Sequence, residues 1–128
     1  MNLASQLCAL LAAALHVLFF CMESLWFMQP RVHRRFGAAT AADAAASRLF
    51  AFNQGFYNLF LATGIVAGVA MLHLDGNAVA GQTLVLFCCA CMVAASLVLV
   101  GSAGRRMWRA ACIQGLLPLL AWAFWLVS

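Results

Sequence analysis

From Val79 to Val100 the chain carries no charged side chain. Three more stretches, about Leu3–Met28, Ser47–Leu72 and Met107–Val127, are nearly as apolar. A helix needs roughly 20 mainly apolar residues to cross the hydrocarbon of a bilayer. The sequence therefore predicts four membrane-crossing helices, over residues 3–28, 47–72, 79–100 and 107–127. Composition agrees: 8% of residues are charged, against about 25% in a soluble domain. Mean hydropathy is +1.02, and so much apolar surface needs lipid as its solvent. Little sequence lies outside the four runs, so residues 1–128 read as one all-α transmembrane domain, a four-helix antiparallel bundle. A nucleic-acid-binding module is excluded, because all seven basic side chains sit in loops beside the spans.

The first run is expected to be a retained helix rather than a cleaved leader. It has no basic residue before Arg31, and its apolar stretch exceeds the 7–15 residues of a leader's core. The loop charges set the orientation. Arg31, Arg34, Arg35 and Arg48 lie in or beside the first loop, and Arg105, Arg106 and Arg109 beside the third. The second loop holds only Asp75. The positive-inside rule makes loops one and three cytoplasmic and both termini external, in a multi-pass protein of a bacterial inner membrane.

Local signals mark the ends of the spans. Pro30 stops the first helix, and Thr40–Asp43 ("TAAD") is a capping box that starts a short interfacial helix or extends the second span. "DGN" at 75–77 is a tight turn, and Gly101 and Gly104 mark another. Trp108, Trp122 and Trp125 lie toward the ends of the fourth span, where aromatic belts form. The six cysteines all fall within the spans. A disulfide framework would place them in loops, and the "CCACM" cluster at 88–92 has no second cluster to complete a metal site. The cysteines read as small apolar packing residues, and neither metal nor cofactor is expected.

The polar residues within the spans are few and concentrated. His16 and Glu23, seven apart, share a face of an α-helix, about 10 Å apart along its axis. Asn53, Gln54, Tyr57 and Asn58 fall within six residues at the start of the second span. Gly55 among them leaves room for a close backbone approach, and Gly64 and Gly68 allow tight helix contact further along. In the fourth span Gln114 is followed by Pro118, whose ring frees the carbonyl four residues earlier. Topology puts Glu23, Asn53, Gln54, Tyr57, Asn58 and Gln114 in one layer of the cytoplasmic leaflet, with His16 deeper. Unsatisfied polar groups in lipid are costly, so these side chains are expected to converge. Ionisable residues within a membrane are functional by default.

Three stretches carry a family resemblance: "HVLFFCMESLWFMQP", "FNQGFYNLFLATG" and "CIQGLLPLLAW". They resemble the small bacterial membrane proteins grouped as domain of unknown function 1304. That family has a His and a Glu seven apart before a Trp, then an "NQGxYNxFLA" motif, then a Gln with a later Pro. The resemblance carries over to His16, Glu23, Trp26, Asn53, Gln54, Gly55, Tyr57, Asn58, Gln114 and Pro118. Leu15 departs from the pattern, standing where members often have an acidic residue. The resemblance implies an integral membrane protein and supplies no activity.

The functional expectation is a site that binds or transports a small or lipid-like molecule, with Glu23 protonatable and His16, Asn53, Gln54, Tyr57, Asn58 and Gln114 around it. Membrane lipid is an expected partner, and the small volume that four helices enclose favours a homodimer. Two alternatives stand beside this reading. One is an acid–base enzyme of isomerase type on a lipid-like substrate, with His16 and Glu23 exchanging the proton. The other is a structural module whose polar layer fixes packing.

Overall fold

A computed structural model describes residues 1–127. The elements are α1 (Leu3–Phe20), a π turn (Cys21–Leu25), α2 (Pro30–His33), a 3-10 turn (Arg34–Phe36), α3 (Ala41–Leu72), α4 (Ala78–Ala103), a second 3-10 turn (Gly104–Met107) and α5 (Trp108–Leu126). No strand occurs among the described residues. Three stretches are long and apolar enough to cross a membrane: Leu3–Leu25, Ala41–Leu72 and Ala78–Leu126. The last contains both α4 and α5.

The helix ends have local causes. Thr40 and Asp43 cap α3 reciprocally: each side chain accepts the other's backbone N–H, at 3.1 and 3.0 Å, and the two side chains bond at 2.8 Å. The capping box thus opens α3 directly. Gly76 at φ 77° turns the chain between α3 and α4. Gly104 at φ 62° turns it between α4 and α5. Both lie in the left-handed region that glycine enters without penalty.

The described residues divide into two compact units, residues 1–15 with 61–127 and residues 16–60. In the first, Ala9, Ala12 and Ala13 of α1 pack with Ala62 and Ile65 of α3, Val85, Cys88, Cys89 and Met92 of α4, and Ala121 of α5. Small residues let the backbones come close. Gly68 and Gly81 show how close: a Cβ on Gly81 would stand 2.6 Å from the Gly68 carbonyl oxygen, and one on Gly68 would stand 2.9 Å from the Gly81 carbonyl oxygen. Helices α4 and α5 are antiparallel, since Trp122 Nε1 donates to the Leu86 carbonyl (3.0 Å) while Gly115 abuts Ser96. The Ser5 hydroxyl ties α1 to α5 by donating to the Ala121 carbonyl at 2.6 Å. Cys88 and Cys89 are core packing residues of this unit.

The second unit holds the end of α1, the π turn, α2 and the first half of α3. Its apolar centre is Phe27, Ala38 and Ala44, with Phe36 and Ala51 against them. His33 is buried, and its Nδ1 lies 2.6 Å from the Ala38 carbonyl oxygen. That bond and Gly37 at φ 88° fold the connecting loop back on itself.

Candidate functional site

The candidate site lies where α1 widens into the π turn. The amide of Trp26 reaches back five residues to the Cys21 carbonyl, at 2.9 Å. Single π turns of this kind recur at functional positions in helices. Nothing local in "CMESL" demands one, and two contacts with α3 hold it. The Ser24 hydroxyl donates to the Phe52 carbonyl at 2.8 Å. Gly55 faces Ser24 so closely that a Cβ there would collide with the hydroxyl oxygen and lie 3.1 Å from the Ser24 backbone nitrogen. This close approach is what Gly55 permits.

One residue before Ser24, Glu23 projects from the π turn toward α3. Asn58 Nδ2 donates to Glu23 Oε2 at 2.7 Å and also lies 3.2 Å from the Gln54 carbonyl oxygen. Asn58 is buried and Glu23 half-buried. A carboxylate acceptor makes such a bond about twice as strong as a neutral pair. Aromatic rings line the same helix pair. Phe20 stands edge-on to Phe56 (centroids 5.1 Å), and Phe56 packs on Phe52 (5.0 Å). No arginine among the described residues forms an ion pair with Glu23, and Asn58 is its polar neighbour.

The remaining expected residues are placed differently. His16 is fully buried, edge-on to Phe19 at 5.4 Å. Asn53, Gln54 and Tyr57 are exposed on α3, and Gln54 meets Asn58 through its backbone only. Tyr57 is 61% exposed and packs edge-on to Phe60. Gln114 is half-buried on α5, one turn before the buried Pro118, and belongs to the first unit. The structure thus bonds Glu23 to Asn58 and turns Asn53, Gln54 and Tyr57 outward.

Two polar features go beyond those residues. Ser24 anchors the π turn, and its only sequence signal is its place beside Glu23. At the start of α1, Asn2 Nδ2 donates to the Phe124 carbonyl (2.8 Å), and Gln6 Oε1 lies 3.0 Å from His73 Nε2. The spacing of Asn2, Ser5 and Gln6 at three and four residues is their signal.

The family described as protein of unknown function (DUF1304) matches residues 10–126, nearly the whole chain. No curated protein and no solved structure matches it. The long apolar helices and the match over residues 10–126 together place the chain among membrane proteins of the DUF1304 family.

Proposed function

We propose that the protein spans a bacterial inner membrane four times, through α1, α3, α4 and α5, and binds a small or lipid-like molecule beside Glu23. The turn at Gly104–Met107 and the antiparallel α4–α5 contact support counting the third apolar stretch as two spans. The seven arginines support cytoplasmic loops one and three. In a cysteine-free background, Gly76→Cys is expected to react with an impermeant thiol reagent in intact cells, and Ala103→Cys is not. Labelling in the opposite sense would reverse the orientation.

One observation carries the functional reading: a half-buried carboxyl held by an uncharged amide, at 2.7 Å, on a π turn among aromatic rings. A structural bond needs no ionisable partner, since a second amide would serve. A carboxyl can exchange its proton, and the bond to Asn58 then changes strength. Ligand occupancy and protonation become linked wherever one affects the other. Arg31, Arg34, Arg35 and Arg48 are exposed, which leaves Asn58 as the group that answers the change.

The test compares wild type with Glu23→Gln, whose side chain keeps the shape and the acceptor for Asn58. Both are purified in nanodiscs cut from native membranes, and bound small molecules are weighed by native mass spectrometry from pH 5 to pH 8. Wild type is expected to hold a bound molecule whose occupancy changes with pH. Glu23→Gln is expected to fold normally with occupancy independent of pH. Equal pH responses in the two proteins would remove Glu23 from the function, and no retained molecule at any pH would sink the binding reading.

A further inference from the structure

Midway along α3, two carboxamides and a phenol stand on one exposed face. Phe50, Asn53, Gln54, Tyr57 and Phe60 follow one another at three- and four-residue steps and form a single stripe. All five are exposed, and Tyr57 and Phe60 already pack on each other. Residues at this spacing are neighbours on one helix face. Gly55 lies about 100° round the helix from Gln54 and Asn58 borders the stripe about 40° from it, and both are committed to α1 through Ser24 and Glu23.

Depth makes the stripe hard to leave bare. Helix α3 spans Ala41–Leu72, about 48 Å at 1.5 Å per residue, well beyond a hydrocarbon core of about 30 Å. With Leu72 at one boundary, Tyr57 lies about 22 Å in, and Asn53 about 28 Å in, still inside the far edge. The phenol then faces hydrocarbon, where unsatisfied donors and acceptors are costly, and the two carboxamides lie within about 3 Å of its far edge. No hydrogen bond of the Asn53, Gln54 or Tyr57 side chains occurs among the described residues.

We infer that this stripe is the interface of a homodimer, with α3 of one copy crossing α3 of a second copy about a twofold axis. The chemistry selects a second copy. A carboxamide carries both donor and acceptor, so Asn53 and Gln54 satisfy their own mates when the same face meets itself. The flanking rings of Phe50 and Phe60 are uncharged and pack against their equivalents. The stripe itself contains no like charge to oppose the pairing. Arg48, nine residues before Tyr57, lies roughly half a turn round the helix from it.

The experiment uses the full chain with its six cysteines replaced, in native membranes. Asn53→Cys and Tyr57→Cys are each oxidised with copper phenanthroline, with Arg48→Cys as the control on the opposite face. Both stripe positions are expected to give covalent dimers in at least about tenfold greater yield than Arg48→Cys. Independently, native mass spectrometry of the unmodified protein from nanodiscs is expected to show a species of twice the 13.7 kDa chain. Replacing Asn53 and Gln54 together by Ala should weaken association about tenfold, the effect of one to two lost interhelical bonds. A monomer by mass, or equal crosslinking at all three positions, would overturn the interface and assign the stripe to lipid headgroups. A dimer that crosslinks only at Arg48→Cys would overturn it too. The Glu23 reading is tested separately, by the pH response of wild type against Glu23→Gln, which none of these outcomes measures.

Discussion

Gly81→Ala is expected to cost about 3 kcal/mol of stability, at the upper end of what one added methyl does to a packed core. Its new Cβ would stand 2.6 Å from the Gly68 carbonyl oxygen, 2.8 Å from Met71 Cβ and 2.9 Å from the Leu72 nitrogen. Two of those atoms are backbone and the third is a Cβ, so no side-chain rotation relieves the contact. The helices must separate along the whole α3–α4 seam, and Cys88 against Gly64 loosens with them. Gly101→Ala is the matched control. It too lies in α4, but nothing stands within 4 Å of its new Cβ. There the change is expected to be neutral or to stabilise by about 0.5–1 kcal/mol, the usual gain from removing a helical glycine. Tryptophan fluorescence during unfolding in mixed detergent measures both variants. Equal midpoints for the two would mean that the Gly68–Gly81 contact does not hold these helices.

Asn58→Leu is expected to destabilise by about 2–3 kcal/mol, because it strips a half-buried carboxyl of its hydrogen-bond donor. The penalty arises from the group left behind more than from the bond lost. Removing both partners, as in Glu23→Leu with Asn58→Leu, should therefore cost less than the two single changes summed. Glu23→Gln should stay close to wild type in stability, since its side-chain carbonyl accepts the same N–H. If Asn58→Leu costs as much in the Glu23→Leu background as in wild type, the two residues do not interact, and the site is not built on this pair.

Much of the fold was readable because membrane helices announce themselves by length. The punctuation was readable too: the Thr40–Asp43 box, the Asp75–Asn77 turn and the Gly104 turn each act within a few residues. Facing was harder. In a helix apolar all round, hydrophobic periodicity no longer marks the buried side. Asn53, Gln54, Tyr57 and Asn58 are four polar residues in six, and sequence alone does not say which of them meets α1. Gly55 carried the information, since a glycine marks where another backbone approaches, and Asn58 lies one turn beyond it on the buried side. The π turn was hidden for a different reason. A π turn and an α turn draw on the same residues, and here the choice rests on Ser24 bonding to a carbonyl twenty-eight positions away in the chain. Helical-wheel angles between His16 and Glu23 assume 3.6 residues per turn, and they lose their meaning once the turn at Cys21–Leu25 intervenes.

The glycine seam between α3 and α4 also leads to an expectation for how these two helices respond to temperature. In water, folding hides apolar surface, and the resulting heat-capacity change bends the stability curve into a dome. Between two lipid-covered helices, bringing Gly68 against Gly81 displaces hydrocarbon rather than water. Dispersion and backbone contact drive the step, and neither carries the hydration signature of burial in water. The separation of these helices should therefore follow a nearly straight line in temperature, with no stability maximum near room temperature and no weakening of the seam on cooling.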